Sequence, residues 1–209
     1  MTPSPKPLGR LHLVTDARPG RDPVAVVRAA LSAGVPVVQV RVPDETCDRD
    51  AYALASTIAE LCRAAGARCL VNDRLHIALA VGADGAHVGA QDLPVPVARR
   101  ILGPDAVLGA TARDPATARE AVAAGASYLG VGPAFPTGTK DGLPDPIGAA
   151  GVGAVAAAVA VPVIAIGAVT ASRVPELLAA GAYGVAVVSA VSGAADPARA
   201  SAELLAVLR

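Results

Sequence analysis

Three stretches of this 209-residue chain combine residue types that handle anionic ligands. The first runs from Gly130 to Pro146, GVGPAFPTGTKDGLPDP, where Thr137, Thr139 and Lys140 interrupt apolar and helical surroundings. Hydroxyls on either side of Gly138, followed by a compact ammonium, give donors and a cation that a diphosphate would draw in. The second stretch, VND, closes an apolar run with Asn72 and Asp73, and the third, HVGAQD, closes another with Asp92. Two carboxylates brought together suit Mg²⁺, which binds one or two carboxylates plus waters and phosphate oxygens rather than an all-protein cage. With Asn72, Arg41 and Lys140 beside them, Asp73 and Asp92 compose a diphosphate site with Mg²⁺ as cofactor. The competing reading makes Asp92 the cap of the helix that follows and Lys140 a solvated surface cation.

The elements that must position these groups repeat. Short β-branched runs recur as LHLVT from Leu11, PVVQVR from Pro36, RCLVND from Arg68, GAHVG from Gly85, AVLGAT from Ala106, YLGVGP from Tyr128, PVIAIG from Pro162 and GVAVVS from Gly184. Between them lie segments of helical period such as DPVAVVRAALSAG, DRDAYALASTIAELCRAAG, DPATAREAVAAG and TASRVPELLAAG, each opening near a capping Asp or Thr and closing on Gly. About eight βα units with no spare strand predict an α/β fold, a single closed (β/α)8 TIM barrel rather than an open doubly wound sheet. One domain spans residues 1–209, with 1–10 read as a flexible N-terminal extension.

In such a barrel chemistry belongs to the loops after the strands. Polar residues stand there in order: Thr15 and Asp16, Gln39 and Arg41, Asn72 and Asp73, His87 with Gln91 and Asp92, Thr111 and Arg113, then the threonine and lysine loop. The last two strands end in IGAVT and VVSAV, leaving the amides of Gly167, Ala168, Val188 and Ser189 to face a phosphate. The alternative is two tight turns whose small residues serve packing.

Composition narrows the partners. Lys and Arg number 18 and Asp and Glu number 18, so no net field draws the chain to nucleic acid or to an anionic membrane. Small phosphorylated molecules are the expected partners, and a homo-oligomer is compatible with the sequence. The N-terminus lacks the apolar core of a signal peptide and no apolar run reaches the roughly 20 residues of a membrane span, so a cytoplasmic location is expected. Cys47, Cys62 and Cys69 lack metal-site spacing and read as buried or incidental thiols. His12 and His76 read as structural, and His87 as nearer the rim. Neither a nucleophilic triad nor a dinucleotide-binding glycine pattern is present.

The order Q-x-R, VND, HVG-x-QD, GAT, GPAFPTGTK, IG-x-x-T and VVSAV, from Leu11 to Val191, resembles the thiamine phosphate synthase family with its sister thiazole tautomerases. The resemblance implies a Mg²⁺-dependent transferase that joins hydroxymethylpyrimidine diphosphate to thiazole phosphate and releases diphosphate. On matching positions it implies that Gln39, Arg41, Asn72, Thr111 and Lys140 bind the pyrimidine diphosphate, with Arg41, Thr111 and Lys140 acting in catalysis. It further implies Asp73 and Asp92 for the metal. Thr137 and Thr139, with the amides near Ala168, Val188 and Ser189, fall to the thiazole phosphate. The chain departs from the family pattern at Pro43, where synthases carry a lysine, and at Ala90, Arg113 and Ala168. A tautomerase-like isomerase and a non-catalytic binder of phosphorylated ligands are the alternatives.

Overall fold

Eight strands run parallel and close on one another in chain order in the computed structural model, which describes residues 8–137 and 144–209. They are β1 (Leu11–Val14), β2 (Val37–Val40), β3 (Arg68–Asn72), β4 (Gly85–Val88), β5 (Val107–Ala112), β6 (Tyr128–Val131), β7 (Val163–Ala165) and β8 (Gly184–Val187), with β8 pairing back to β1. Helices cover the outside: α1 (Pro23–Ser32), α2 (Asp48–Ala65), α3 (Leu75–Ala80), α4 (Val95–Leu102), α5 (Pro115–Ala123), α6 (Gly148–Ala156), α7 (Val174–Ala179), α8 (Ser189–Ser192) and α9 (Pro197–Val207). The predicted (β/α)8 barrel is the fold.

Local chemistry explains the helix starts. Asp22, Asp114 and Asp196 each accept from a backbone amide of the first turn, and each precedes a proline at the first helical position, where its missing N–H costs nothing. Two of the predicted caps are absent. Helix α2 starts after Cys47 without a side-chain cap and instead carries Asp48 and Asp50 in its first turn, where they meet the positive end of the helix dipole. The segment after Thr170 begins as a 3₁₀ turn, Ala171–Arg173, before α7, and Thr170 makes no capping bond. Of the segment read as an N-terminal extension, residues 8–10 bind the base of the barrel. Arg10 donates to the carbonyls of Tyr183 and Leu208, and its own carbonyl accepts from Val185.

The period-2 alternation of the strands sorts side chains into two cores. One face packs against the helices in a large aliphatic cluster that includes Leu13, Val38, Val71, Leu108, Leu129, Ala165 and Val185. The other face fills the barrel with a separate set, Val14, Val37, Leu70, Tyr128, Ile164 and Ala186. In the barrel register His87 pairs with Gly109, and Gly109 with Tyr128. A Cβ on Gly109 would lie 2.2 Å from Tyr128 Cζ and 2.4 Å from His87 Nδ1, so the bare backbone of β5 is what lets the imidazole and the phenol meet. Gly130 on β6 clears the other side, since a Cβ there would lie 2.8 Å from His87 Cε1.

Gly109→Ala therefore overpacks the lumen with no flexible atom to yield. It is expected to cost about 3 kcal/mol of stability, read as the shift of the urea unfolding midpoint. An unchanged midpoint would show that the lumen is looser than these distances say.

Candidate active site

The carboxyl ends of β1 to β5 carry the polar groups, and short bonds hold them there. The Thr15 hydroxyl donates to the Arg41 carbonyl at 2.7 Å and accepts from the Arg41 amide at 2.8 Å, so it ties the end of β1 to the residue that leaves β2. Asp16 is buried and held by the Arg18 guanidinium through two contacts of 2.7 Å. That pairing outweighs burial, which acts the other way, and keeps its carboxyl below the ordinary range.

Asp73 and Asp92 converge on the end of β4. The Asp73 amide donates to the His87 carbonyl at 2.9 Å, and the Asn72 side chain donates to the Asp73 carboxylate. Asp73 reaches this position in the left-handed region, at φ 60°, which an Asp tolerates better than a branched residue would. Asp92 Oδ2 accepts from the Gly89 amide at 2.6 Å. Its charge is close enough to favour protonation of His87 against the stronger effect of burial. Asp92 is not the cap of α4, a position held by Pro94, so the capping alternative falls. Asp114, by contrast, is a cap, accepting from Ala116 and Thr117 amides.

Below the rim lies a buried polar chain. Gln39 Nε2 stands 3.5 Å from Tyr128 Oη, Tyr128 Oη 3.1 Å from His87 Nδ1, and His87 Nε2 3.0 Å from Thr111 Oγ1. His12 packs its ring edge against Tyr128, with centroids 5.3 Å apart. Burial, offset only in part by other groups, lowers the pKa of His87 from the ordinary 6.5 to about 4 and that of His12 to about 3, so both rings are neutral. The Tyr128 hydroxyl is pushed up, also by burial.

On the opposite arc, the loops after β7 and β8 present backbone. Gly167 sits at φ 105° with Pro133 packed where a side chain would be, and Ala168 follows at φ 47°. The Arg173 guanidinium donates to the Ala168 carbonyl at 2.7 Å and stacks over Phe135 at 4.4 Å, which fixes this turn against the start of the threonine and lysine loop. Helix α8 opens at Ser189 directly after β8, and the amides of Gly167, Ala168 and Ser189 donate to no backbone carbonyl among the described residues.

The structure thus brings Gln39, Arg41, Asn72, Asp73, Asp92 and Thr111 to one end of the barrel, with Ala168, Val188 and Ser189 on its far arc. Thr137 is half-buried where the description of its loop stops, and Thr139 and Lys140 lie outside the described residues. His87, read as nearer the rim, lies inside the barrel on β4 and reaches Thr111 at its site end, whereas His12 bonds the Gly9 carbonyl at the base. His76 is exposed and pairs with Asp48. Of the three thiols, Cys62 and Cys69 are buried and Cys47 is exposed. Pro43 shapes a turn by accepting from the Thr46 amide, while Arg113 donates to the Asp145 carbonyl at 2.5 Å. Tyr128 is the functional candidate the sequence reading missed; its position opposite a glycine and a histidine in register was the available signal.

Comparison with known proteins adds independent findings. The family model for thiamine monophosphate synthase matches residues 11–191. The chain is 70% identical over 203 residues to the thiamine-phosphate synthase of Salinispora arenicola, covering 96% of this chain and 98% of that one. It is 48% identical to the thiamine-phosphate synthase of Moorella thermoacetica, with 90% of each covered. A solved structure of thiamine phosphate pyrophosphorylase from Pyrococcus furiosus superposes with a TM-score of 0.85 at 36% identity over 95% of both chains.

Two outcomes follow from this geometry. A left-handed alanine costs about 1–2 kcal/mol, and glycine gives back about 0.5–1 kcal/mol through the unfolded chain. Ala168→Gly should raise stability by about 0.5–1 kcal/mol in urea unfolding, and a loss would contradict the strained turn. The neutral rings set a pH dependence. Below pH 6.5 the unfolded chain protonates histidines that the folded chain leaves neutral until about pH 4 for His87 and about pH 3 for His12, so stability falls as pH drops through this window. His87→Gln should lose about 2 kcal/mol less than the parent between about pH 7 and about pH 5; equal losses would place a solvated imidazole there.

Proposed function

Because the chain belongs to the thiamine monophosphate synthase family, we propose that it is a transferase joining hydroxymethylpyrimidine diphosphate to thiazole phosphate, giving thiamine phosphate and diphosphate. The observation that carries this reading is the convergence of Asp73 and Asp92 on the end of β4, in a chain alike over nearly its whole length to proteins named for that synthesis. Its partners are small phosphorylated molecules, and the reading places it in the cytoplasm. Among the described residues no helix is long and apolar enough to cross a membrane.

The donor set fits Mg²⁺. Among the described residues no three His, Cys, Asp or Glu side chains cluster as a metal cage, whereas two acids at the rim match an ion that takes its remaining ligands from water and phosphate. Asp73 and Asp92 would hold it, with Asn72 orienting Asp73 and the Gly89 amide orienting Asp92. When bound, the ion offsets the charge of the diphosphate.

The chain's residues bind and orient. Gln39, Arg41, Asn72, Thr111 and Lys140 are assigned to the pyrimidine diphosphate, and Thr137, Thr139 and the amides near Ala168, Val188 and Ser189 to the thiazole phosphate. The bond from the pyrimidine methylene to the diphosphate oxygen breaks with its electron pair leaving on oxygen, and the thiazole nitrogen lone pair forms the new C–N bond. The aminopyrimidine spreads the positive charge between these events, so no protein base is required, in keeping with rings at His12 and His87 too buried to charge. Positioning and charge stabilisation supply the acceleration. The tautomerase alternative loses its footing at Arg113, because the resemblance implies a histidine there in tautomerases, whereas this guanidinium is engaged with Asp145.

Purified protein given both substrates and Mg²⁺ is expected to form thiamine phosphate, to stop on chelation and to restart on added Mg²⁺. Asp73→Ala should lower kcat by about 100-fold or more. Absence of product beside a working control synthase would end the transferase reading, and turnover indifferent to chelator would end the metal assignment.

A further inference from the structure

The chain below the rim has a direction. Tyr128 is 1% exposed, so its hydroxyl proton must go to a protein acceptor. Two groups among the described residues are within reach, the Gln39 side chain at 3.5 Å, which presents its amide nitrogen, and His87 Nδ1 at 3.1 Å. The nitrogen of Gln39 donates and cannot accept, so the phenol donates to Nδ1. A neutral imidazole carries one N–H, and with Nδ1 accepting, that N–H is on Nε2 and points to Thr111 Oγ1 at 3.0 Å. Thr111 then accepts from below. Its own proton has no protein acceptor among the described residues, and Thr111 is half-buried at the site end of β5.

We infer that Gln39, Tyr128 and His87 form a one-way hydrogen-bond chain that turns the Thr111 hydroxyl into an obligate donor toward the diphosphate substrate, with His87 and Tyr128 as positioning residues. A threonine hydroxyl alone is ambivalent, since it donates or accepts with equal ease and rotates to suit. Facing an anion, an accepting hydroxyl repels, while one that donates stabilises the charge growing on the departing oxygens. The lumen resolves this ambivalence before substrate arrives, because reversing the chain would leave the buried phenol proton aimed at an amide nitrogen. Gly109 and Gly130 belong to the same device: without their bare backbones the ring of His87 has no place between Tyr128 and Thr111.

This inference rests on the synthase reading for its substrate, but its first test does not. Nitrogen NMR of the histidine rings in the ligand-free parent protein should show His87 protonated on Nε2 and bare on Nδ1; a proton on Nδ1 overturns the chain whether or not the protein makes thiamine phosphate. The second test uses turnover. Thr111→Val should lower kcat by about 100-fold and Thr111→Ser should restore most of it. Tyr128→Phe, which frees the tautomer, should lower kcat by about 10-fold with the KM for thiazole phosphate unchanged. In the double variant Tyr128→Phe should add nothing to the loss already caused by Thr111→Val, because it acts only through that hydroxyl. Additive losses would make the phenol a mere packing group and sink the relay, whereas an inactive parent protein with the expected tautomer would sink only the synthase reading.

Discussion

A closed barrel of short strands has a lumen that must be filled, and this chain has almost nothing large to fill it with. Only 2% of its residues are aromatic. The space is taken by four aliphatic side chains and an alanine, with one phenol and two imidazoles among them. Aliphatic side chains ask only for contact, but a buried phenol and two buried imidazoles ask for hydrogen-bond partners, and leaving one unmet costs about 1–3 kcal/mol. His12 takes the Gly9 carbonyl, at the base. Among the described residues Tyr128 and His87 have no carbonyl partner and bond upward, through Gln39 and Thr111, into the residues of the rim. Filling the core and orienting the site are therefore one requirement.

The rim shows the same economy of means with backbone. Asp73 and Ala168 both occupy left-handed φ, and each lies in the loop that follows a strand, β3 and β7 respectively. Asp73 accepts from the Asn72 side chain and donates its amide to the His87 carbonyl, which ties it to the end of β4, where Asp92 accepts from Gly89. Ala168 is held through its carbonyl by Arg173, and its amide donates to no backbone carbonyl among the described residues. Non-glycine residues in this region persist where the surroundings over-determine them, which is the condition of residues placed for a ligand rather than for the fold.

The barrel was legible because its signals are local. Alternating β-branched runs, Asp-Pro starts and Gly stops each act within a few residues, and the eight predicted strands all form within a residue or two of their expected bounds. Most rim residues were legible for a derived reason: in a parallel barrel, the polar residue that breaks a strand is at the carboxyl end by construction. What the sequence hid depends on register between strands. That His87 turns inward and meets Tyr128 follows from Gly109 standing between them, a relation among β4, β5 and β6 that no single segment encodes. The Cys47 start of α2 was hidden for a different reason, since a cap can be replaced by acids in the first turn at little cost.

A neutral lumen also constrains where the site's charge can come from. Desolvation holds both inner rings well below their ordinary pKa, so a diphosphate bound as proposed would meet dipoles from the lumen and not cations. On the proposed reading, positive charge comes instead from outside the lumen, from Arg41, from Lys140 as assigned to the diphosphate, and from the ion that Asp73 and Asp92 would hold. Pro43 removes one such cation relative to the family pattern, which shifts weight onto those that remain and onto oriented dipoles such as the Thr111 hydroxyl. An oriented dipole needs no counter-charge and no reorganisation as the bond breaks, and it works best where water is excluded. The polar chain in the lumen and the cations at the rim are thus complementary answers to one problem, stabilising a departing anion from below without burying a charge.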